Sequence, residues 1–329
     1  MIRRKYIWIS IFLILVPLYL TADDDLIYWK KPQKIYNFSY LGATVSSGFS
    51  SIIHSIPNTQ AMGGGFGSIG LKYQLKNIET DFIFTTGGEI TFLNSATRLD
   101  NFTMNGIYEY RDPSLDHSIE MEFQLDFFNY IEQHNFFALN IPILFGRDFR
   151  YSYICGGVNF LASISSHYIT HTNIRSSAYD PEIIGKIENV PDHYFSTYRI
   201  KTNGNLNFYM DGMATLEYGI LLDKWIHHVN RKSWGNVKPS NFSYRLGMFA
   251  SCGIYSFNTN PKNQYLVYYG NTTTSDNVLT FPLKDVTKLS NSSIFTTSDA
   301  VDKPLRTLML GIKFSVLFQQ TKPCVHCTY

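Results

Sequence analysis

The sequence has few charged side chains, and this shortage limits the classes of protein that it can encode. Only 16% of its 329 residues are Asp, Glu, Lys or Arg, whereas typical soluble domains carry roughly 25%. The formal net charge is +2 at pH 7, so electrostatics gives no reason to expect a nucleic-acid partner. The four cysteines are too few for a disulfide scaffold.

Long apolar runs are also missing from the sequence beyond its N-terminal segment. Beyond Ala22 no segment reaches the roughly 18 apolar residues that a transmembrane helix needs. The first 22 residues fit a cleaved secretory signal, because Arg3, Arg4 and Lys5 precede an apolar run and Ala22 precedes three aspartates. A membrane anchor is the alternative, but the apolar run is short and Pro17 interrupts it. If this chain spans a membrane, strands must do it.

Strict alternation of apolar and small or polar residues is the strongest pattern that the sequence does contain. In RTLMLGIKFSVLF, residues 306–318, every even position is large and apolar: Leu308, Leu310, Ile312, Phe314, Val316 and Phe318. A strand points successive side chains to opposite faces, so this segment has one apolar face. The same pattern recurs in SIGLKYQL, SYICGGVNFLASIS, ATLEYGILL and FSYRLGMFASCGI.

The less apolar face of these segments predicts what each face meets. It carries Gly, Ser, Thr and Asn with single charges at Lys72, Glu217, Arg245 and Lys313, whereas the solvent face of a soluble sheet usually carries many charges. Small residues with occasional ions suit the interior of a narrow closed barrel. We therefore expect the apolar rows to face lipid and the four charges to form a network in the lumen. A selectivity filter is the alternative role for these charges.

The spacing of the alternating segments predicts an eight-stranded, closed, antiparallel transmembrane β-barrel. The candidate strands are 38–53, 64–76, 79–97, 132–147, 150–168, 206–224, 240–257 and 305–320. With eight strands every long connection falls on the extracellular side, as in bacterial barrels. Ten strands are the alternative, if the weaker stretches 116–129 and 264–282 also cross. We expect those two stretches to be hairpin arms above the membrane, and the Ser- and Thr-rich segment 288–304 to be a surface loop.

Aromatic residues near the strand ends fit the girdles that such barrels place at the two membrane interfaces. They are Tyr151, Tyr153, Trp225, Phe242 and Tyr244. The expected organisation is a signal peptide at 1–22, a periplasmic segment at 23–35, the barrel at 36–320 and a periplasmic tail at 321–329.

Several segments carry a family resemblance. GGGFGSIGLKYQL, FFALNIPILFGRDF, YICGGVNFLASIS and LGIKFSVLF, in this order and spacing, resemble the PorT-like outer-membrane β-barrel family of Bacteroidota over about residues 36–320. The resemblance implies a barrel in the outer membrane of a Gram-negative cell envelope, with extended external loops. One founding member of the family belongs to a secretion machinery, but the family is broad and this role does not transfer to the chain. A role accessory to an envelope or secretion assembly is an additional option for the function. The sequence departs from the family pattern in its long connections at 98–131 and 258–304 and in its C-terminal tail.

Few residues point to chemistry. Cys324 and Cys327 flank His326 in the tail, but zinc needs four ligands and three occur there, so a small disulfide loop or two free thiols is expected. His167 and His171 would lie about 13 Å apart on a strand, too far for one metal ion. Adjacent Asp–His pairs occur at 116–117 and 192–193, but adjacent strand residues face opposite ways. Cys155 and Cys252 are expected to pack in the wall, and no catalytic residue, metal site or cofactor is predicted.

The leading hypothesis is therefore a non-enzymatic outer-membrane barrel. Its expected partners are outer-membrane lipid around the wall and a protein or surface partner bound through the loops. A second hypothesis is a barrel enzyme, a lipid or peptide hydrolase with its site at the extracellular rim. A third is a soluble exported barrel that carries a ligand, which would require the apolar face to point inward.

Overall fold

The computed structural model describes residues 37–77, 79–111, 118–179, 186–187, 196–224, 242–260, 264–269, 289–301 and 303–320. All of them belong to one compact unit, residues 36–322. Strands account for 82% of the described residues, which confirms the prediction of an all-β antiparallel protein. Within these ranges no helix has the length and apolar character needed to cross a membrane.

Fourteen strands, two short 3-10 turns and a helical turn at 222–224 make up the described structure. The strands are β1 (Asn37–Ile53), β2 (Thr59–Met62), β3 (Gly64–Asn77), β4 (Phe82–Leu99), β5 (Phe102–Arg111), β6 (Ser118–Asp148), β7 (Ser152–Tyr179), β8 (Lys186–Ile187), β9 (Thr197–Leu206), β10 (Tyr209–Leu221), β11 (Phe242–Asn258), β12 (Val267–Tyr269), β13 (Leu289–Asn291) and β14 (Arg306–Gln319). The 3-10 turns, Ile294–Thr296 and Ser298–Ala300, lie between β13 and β14.

Eight of these strands pair in an antiparallel ring that closes on itself. The order is β1-β3-β4-β6-β7-β10-β11-β14, and β14 pairs with β1 along fourteen residues. Three connections, 78–81, 149–151 and 222–241, lie at one end, which we call the turn end. The other four lie at the opposite end, the loop end, and carry the remaining strands. This division agrees with the placement of long connections that the alternation predicted.

Two ring strands are much longer than the sequence pattern predicted. β6 has 31 residues and β7 has 28, and their loop-end parts pair with β5 and β9 to form a four-stranded sheet, β5-β6-β7-β9. The prediction that the stretch 116–129 forms a hairpin arm is confirmed for residues 118–127, which pair with β5 beyond the ring. The sequence pattern did not predict that this arm continues directly into a ring strand, as it does in β6. A bulge interrupts the alternation at this point: the register shifts between Phe128 and Ile131, and Asn129 has a φ of 54°.

The two faces of the ring differ sharply in polarity. On β14 the exposed positions include Leu310, Ile312, Phe314 and Phe318, Leu308 and Val316 are half-buried, and Met309, Lys313, Ser315 and Leu317 are buried. Apolar side chains also fill the interior at both ends. A large loop-end cluster surrounds Tyr168, Tyr209 and Phe295, and a small turn-end cluster surrounds Leu144, Tyr153 and Leu221.

The placement of Tyr153 in an interfacial girdle is wrong. Its side chain is 1% exposed and points into the ring, while the next residue, Ile154, is 40% exposed on the outer face. Because neighbouring strand residues face opposite ways, an outward Ile154 already required an inward Tyr153. The girdle interpretation used the residue type and ignored the alternation.

Candidate functional site: the charged interior and its plug

Four ring strands direct the four sequence-predicted charges into the interior. Lys72 on β3, Glu217 on β10, Arg245 on β11 and Lys313 on β14 are all buried. Lys72 Nζ lies 3.5 Å from Glu217 Oε1, and Lys313 Nζ lies 3.9 Å from Glu217 Oε2. The structure therefore brings three of the four into one ion network, with Glu217 between two lysines.

Glu89 is a member of this network that sequence reasoning missed. It lies on β4, is 2% exposed, and accepts a hydrogen bond from Lys313 Nζ at 2.9 Å. Asn140 Nδ2 also donates to Glu89 Oε2 at 3.2 Å. The signal was present in GGEITFLNS, since the alternation that turns Ile90 and Phe92 outward turns Glu89 inward.

Arg245 has a different carboxylate partner, Asp148 on β6. Its Nη2 donates to Asp148 Oδ2 at 3.0 Å, and Lys76 Nζ donates to the same oxygen at 2.9 Å. The guanidinium carbon lies 5.0 Å from the centroid of the Tyr153 ring, and the Tyr153 hydroxyl donates to Glu217 Oε1 at 2.7 Å. Tyr153 thus links the Arg245–Asp148 pair to the Glu217 network.

The ions in the middle and turn-end part of the ring interior compensate one another. Three fully buried cations, Lys72, Arg245 and Lys313, are matched by three buried carboxylates: Glu89, Asp148 and Glu217. Isolated buried charges are very costly, and a buried pair is tolerated only when it is well hydrogen-bonded. Because the partners come from six different strands, the network ties the walls of the ring together across the interior.

A segment from the last long connection closes the interior at the loop end. We call residues 291–297 the plug segment; all seven are buried. The Phe295 ring stacks on His134 with centroids 4.1 Å apart and an interplanar angle of 10°, and the edge of His54 meets the same ring at 5.5 Å. The prediction that residues 288–304 form a surface loop is therefore wrong for its central part.

Glu132, on the inner face of β6, holds the plug segment in place. Its Oε1 accepts a hydrogen bond from Ser293 Oγ at 2.5 Å, and its Oε2 accepts one from the Ile294 backbone N–H at 2.9 Å. Tyr168 on β7 adds a further contact, because its hydroxyl donates to the Asn291 carbonyl at 3.0 Å. The buried backbone of the plug segment thus finds its partners on the ring wall.

A serine, a histidine and a carboxylate meet here, but their arrangement does not activate the serine. His134 Nε2 lies 2.6 Å from Glu132 Oε1, the same oxygen to which the Ser293 hydroxyl donates. A nucleophilic serine needs its hydroxyl bonded to the histidine base. All three side chains are also buried. The cluster can hold a segment of chain, and it does not present a nucleophile to a substrate.

His54 is the titratable group best placed to sense pH at the plug. It follows β1, and its ring nitrogens lie 3.2 Å from Thr97 Oγ1 and 3.3 Å from Thr59 Oγ1. Burial, together with the nearby His134, lowers the pKa of His54 to about 4, while Glu132 acts in the opposite direction. His54 is therefore neutral when the plug segment is seated at neutral pH.

The other sequence candidates do not converge on a site. His167 and His171 lie on the outer face of β7, where their register partners on β9 are Asn205 and Lys201. In the described parts of the chain, no three His, Cys, Asp or Glu side chains are grouped so as to hold a metal ion. Cys155 is buried and Cys252 is exposed, both as free thiols. The Asp–His pairs at 116–117 and 192–193 and the cysteines at 324 and 327 lie outside the described residues.

No family model matches this chain, and no curated protein matches it.

Proposed function

We propose that the protein is a non-enzymatic outer-membrane β-barrel of eight strands, anchored by its ring and presenting the loop-end sheet and connections for interaction. The observation that carries the proposal is the inverted polarity of the ring. Every ring strand exposes large apolar side chains on the outside, for example Val45, Leu71, Ile90, Phe145, Phe160, Leu216, Met248 and Ile312.

This polarity is opposite to that of a soluble protein. Ile312 is 56% exposed and Met248 is 67% exposed, whereas the adjacent inward residue Lys313 is 3% exposed. Soluble monomers rarely expose contiguous apolar patches larger than a few hundred Å². A belt of such side chains around a closed ring has a natural solvent in lipid, and a closed ring satisfies its backbone hydrogen bonds internally, as lipid requires.

The outer face changes from apolar to polar side chains between two successive residue pairs of β4 and β6. This change supports a membrane boundary at that level. Phe92 on β4 is paired with Phe137 on β6, and both are exposed. Two residues further toward the loop end, Asn94 pairs with Asn135, and their side-chain amides are hydrogen-bonded at 2.6 Å. Beyond this line the outward residues of β7 and β9 are largely polar, as expected where a wall leaves the hydrocarbon region.

The filled interior supports anchoring and presentation rather than transport. The ion network occupies the middle and turn-end part, and the plug segment occupies the loop end. An eight-stranded barrel is just wide enough for side chains to fill it or for one small ligand, and here side chains and the plug segment fill it. Among the described residues, the four-stranded sheet that extends past the ring then offers an exposed surface for a partner.

Fractionation and gel mobility together test the proposal. The protein is expressed with its first 22 residues, the outer membranes are isolated, and unheated and boiled samples are compared on an SDS gel. We expect the protein in the outer-membrane fraction, with a mobility that changes on boiling. A soluble periplasmic protein without a heat-dependent shift would contradict the proposal and favour the exported carrier.

The two finer expectations from the sequence stay predictions. Membership of the PorT-like family and a role beside a secretion assembly rest on the four sequence segments that carry the resemblance. A rim hydrolase would need an accessible nucleophile beside a base, and the Ser293–Glu132–His134 cluster does not supply one.

A further inference from the structure

A basic patch lies on the outer face of the sheet that extends past the ring. It consists of His171 and Arg175 on β7 and of Arg199 and Lys201 on β9, which we call the basic patch. His171 is the register partner of Lys201, and Arg199 lies two residues further along the same face. Arg175, Arg199 and Lys201 are all exposed.

Within the part of the chain that the structure describes, few carboxylates oppose these charges. β9 contains no acidic residue, and neither does the part of β7 with which it pairs, residues 166–175. Asp126 on β6 is the register partner of Arg175 at the margin of the patch, and it already accepts hydrogen bonds from Thr103 and Gln124. Partial burial and the charges of Lys201 and Arg199 lower the pKa of His171, as expected in a positive local field.

The turn end of the ring provides a contrast, because its exposed charges have mixed sign. Arg147 is the register partner of Phe82, next to the half-exposed carboxylate of Asp81, and Glu79 is exposed nearby in the chain. Lys76 Nζ lies 3.0 Å from Asp81 Oδ1. Among the described residues, the excess of positive charge is therefore a property of the outer face of the loop-end sheet.

The distance of the basic patch from the apolar belt, measured along the membrane normal, indicates which kind of ligand the patch can reach. His171 lies seven residues beyond Ile164, the last large apolar residue of β7 that is fully exposed on the outer face, and the half-buried Ile169 is the one outward apolar residue of β7 between them. At about 3.3 Å per residue and a tilt of about 45°, this places the patch about 16 Å beyond the belt. The polar headgroup layer of a bilayer is only about 5 to 8 Å thick on each side. The patch therefore lies beyond the layer of simple phospholipid headgroups. It is on the same outer face of the sheet that carries the apolar belt further down.

We propose that the basic patch binds the phosphorylated saccharide of an outer-leaflet glycolipid. The proposal rests on the proposed membrane location. Arg199 and Lys201 supply exposed N–H donors to phosphate, and Arg is suited to paired hydrogen bonds with phosphate oxygens. The patch lies on the same outer face as the lipid-facing belt, so the sugars of a lipid seated against the belt would extend along it. An acidic protein is the competing occupant.

Binding of a purified glycolipid tests this proposal. The folded protein is placed in nanodiscs of zwitterionic phosphatidylcholine and titrated with a short-chain lipopolysaccharide that carries phosphates on its core sugars. The same lipopolysaccharide after chemical dephosphorylation is titrated in parallel. The test variant is Arg199→Gln/Lys201→Gln, and the matched control is Arg147→Gln/Arg150→Gln, which removes the same charge from exposed positions at the turn end.

We expect the unaltered protein to bind the phosphorylated form more tightly than the dephosphorylated form. A membrane-surface charge contributes about fivefold to binding, so the test variant should bind about 30-fold more weakly, and the control should stay within about threefold. Equal binding of the two lipopolysaccharides, or an equal loss in the control, would overturn the proposal. Tighter binding of polyglutamate with the same dependence on the variant would also overturn it, in favour of an acidic protein.

The same samples separate this proposal from the membrane proposal. The unheated and boiled gel mobility of each nanodisc preparation reports whether the ring is folded in lipid. A protein that shows the heat-dependent shift but no preference for phosphate overturns the glycolipid site alone. A protein that never enters nanodiscs overturns the membrane location as well.

Discussion

The two ends of the ring interior are closed by different means. Toward the turn end, side chains of the ring strands themselves fill the space, with Glu217 between Lys72 and Lys313 and with Asp148 beside Arg245. At the loop end, the plug segment fills the space and belongs to a connection outside the ring. The first closure is built from the ring strands themselves, whereas the second contributes no strand pairing to the ring, so we expect that it can leave while every ring pairing stays intact. One ring thus combines a permanent seal with a separable one.

The largest loss of folding stability is expected when the buried ion network, which forms the permanent seal, is broken. Glu217→Gln leaves Lys72 without a carboxylate within ion-pair distance among the described contacts, and breaking a buried pair in this way typically costs about 3 to 5 kcal/mol. We expect the urea midpoint of the folded, heat-sensitive gel band to fall accordingly. The double variant Glu217→Gln/Lys72→Met removes both charges and should recover most of the loss. A single variant as stable as the unaltered protein would show that the network does not hold the ring.

The next largest loss of stability is expected when a charge is placed on the apolar outer face of the ring. Leu310→Arg places a charge among exposed apolar side chains and should cost about 2 to 4 kcal/mol if the residue lies near the bilayer midplane. Refolding yield into lipid vesicles measures it. The control Asn203→Arg, on an exposed position of β9 in the loop-end sheet, should leave the yield unchanged. Equal yields for the two variants would contradict the lipid-facing assignment.

The separable seal should respond to a smaller change without loss of the ring. Glu132→Gln removes the carboxylate that accepts from Ser293 and Ile294, which should weaken seating of the plug segment by about 1 to 3 kcal/mol. We expect faster hydrogen exchange at Ile294 and Phe295 with an unchanged urea midpoint of the ring. Gln133→Ala, the adjacent exposed residue, is the control. If Glu132→Gln destabilised the ring in urea by as much free energy as it destabilised seating of the plug segment in hydrogen exchange, the two seals would not be separable.

Seating of the plug segment should also depend on pH. The pKa of His54 is about 4 when the plug segment is seated. It is about 6.5 when the imidazole is exposed to water. The seated state therefore binds fewer protons between these values, and seating weakens as pH falls from about 6.5 toward 4. His134 and Glu132 are the titratable neighbours.

Hydrogen-exchange protection factors of Ile294 and Phe295 at pH 7 and pH 5 measure this dependence, because they correct for the intrinsic exchange rate. Protection should be lower at pH 5, and His54→Asn should remove the part of the change that is due to His54. Higher protection at pH 5 would contradict the assigned pKa direction.

The contrast between the seals also explains what the sequence could predict. Strand identity and the inward direction of Lys72 and Lys313 follow from alternation, a local property of ten to fifteen consecutive residues. Glu89 was equally readable and was overlooked. Tyr153 was misplaced because its residue type was given more weight than its position in the alternation.

The plug segment could not be predicted in this way. Its Ser, Thr and Asn content is typical of a surface loop, and its burial depends on Glu132, about 160 positions earlier in the chain. The bulge near Asn129 likewise breaks the alternation, so the continuity of β6 was lost. Long-range contacts of this kind leave no periodic signal in a single sequence.

The central claim is that the outer face of the ring meets lipid, and the exposed native Cys252 tests it directly. Cys155, Cys324 and Cys327 are replaced by serine, an environment-sensitive fluorophore is attached to Cys252, and the protein is reconstituted in vesicles. The account predicts strong quenching by lipids brominated in their acyl chains and weak quenching by aqueous iodide. Strong quenching by iodide with none by brominated lipid would contradict it.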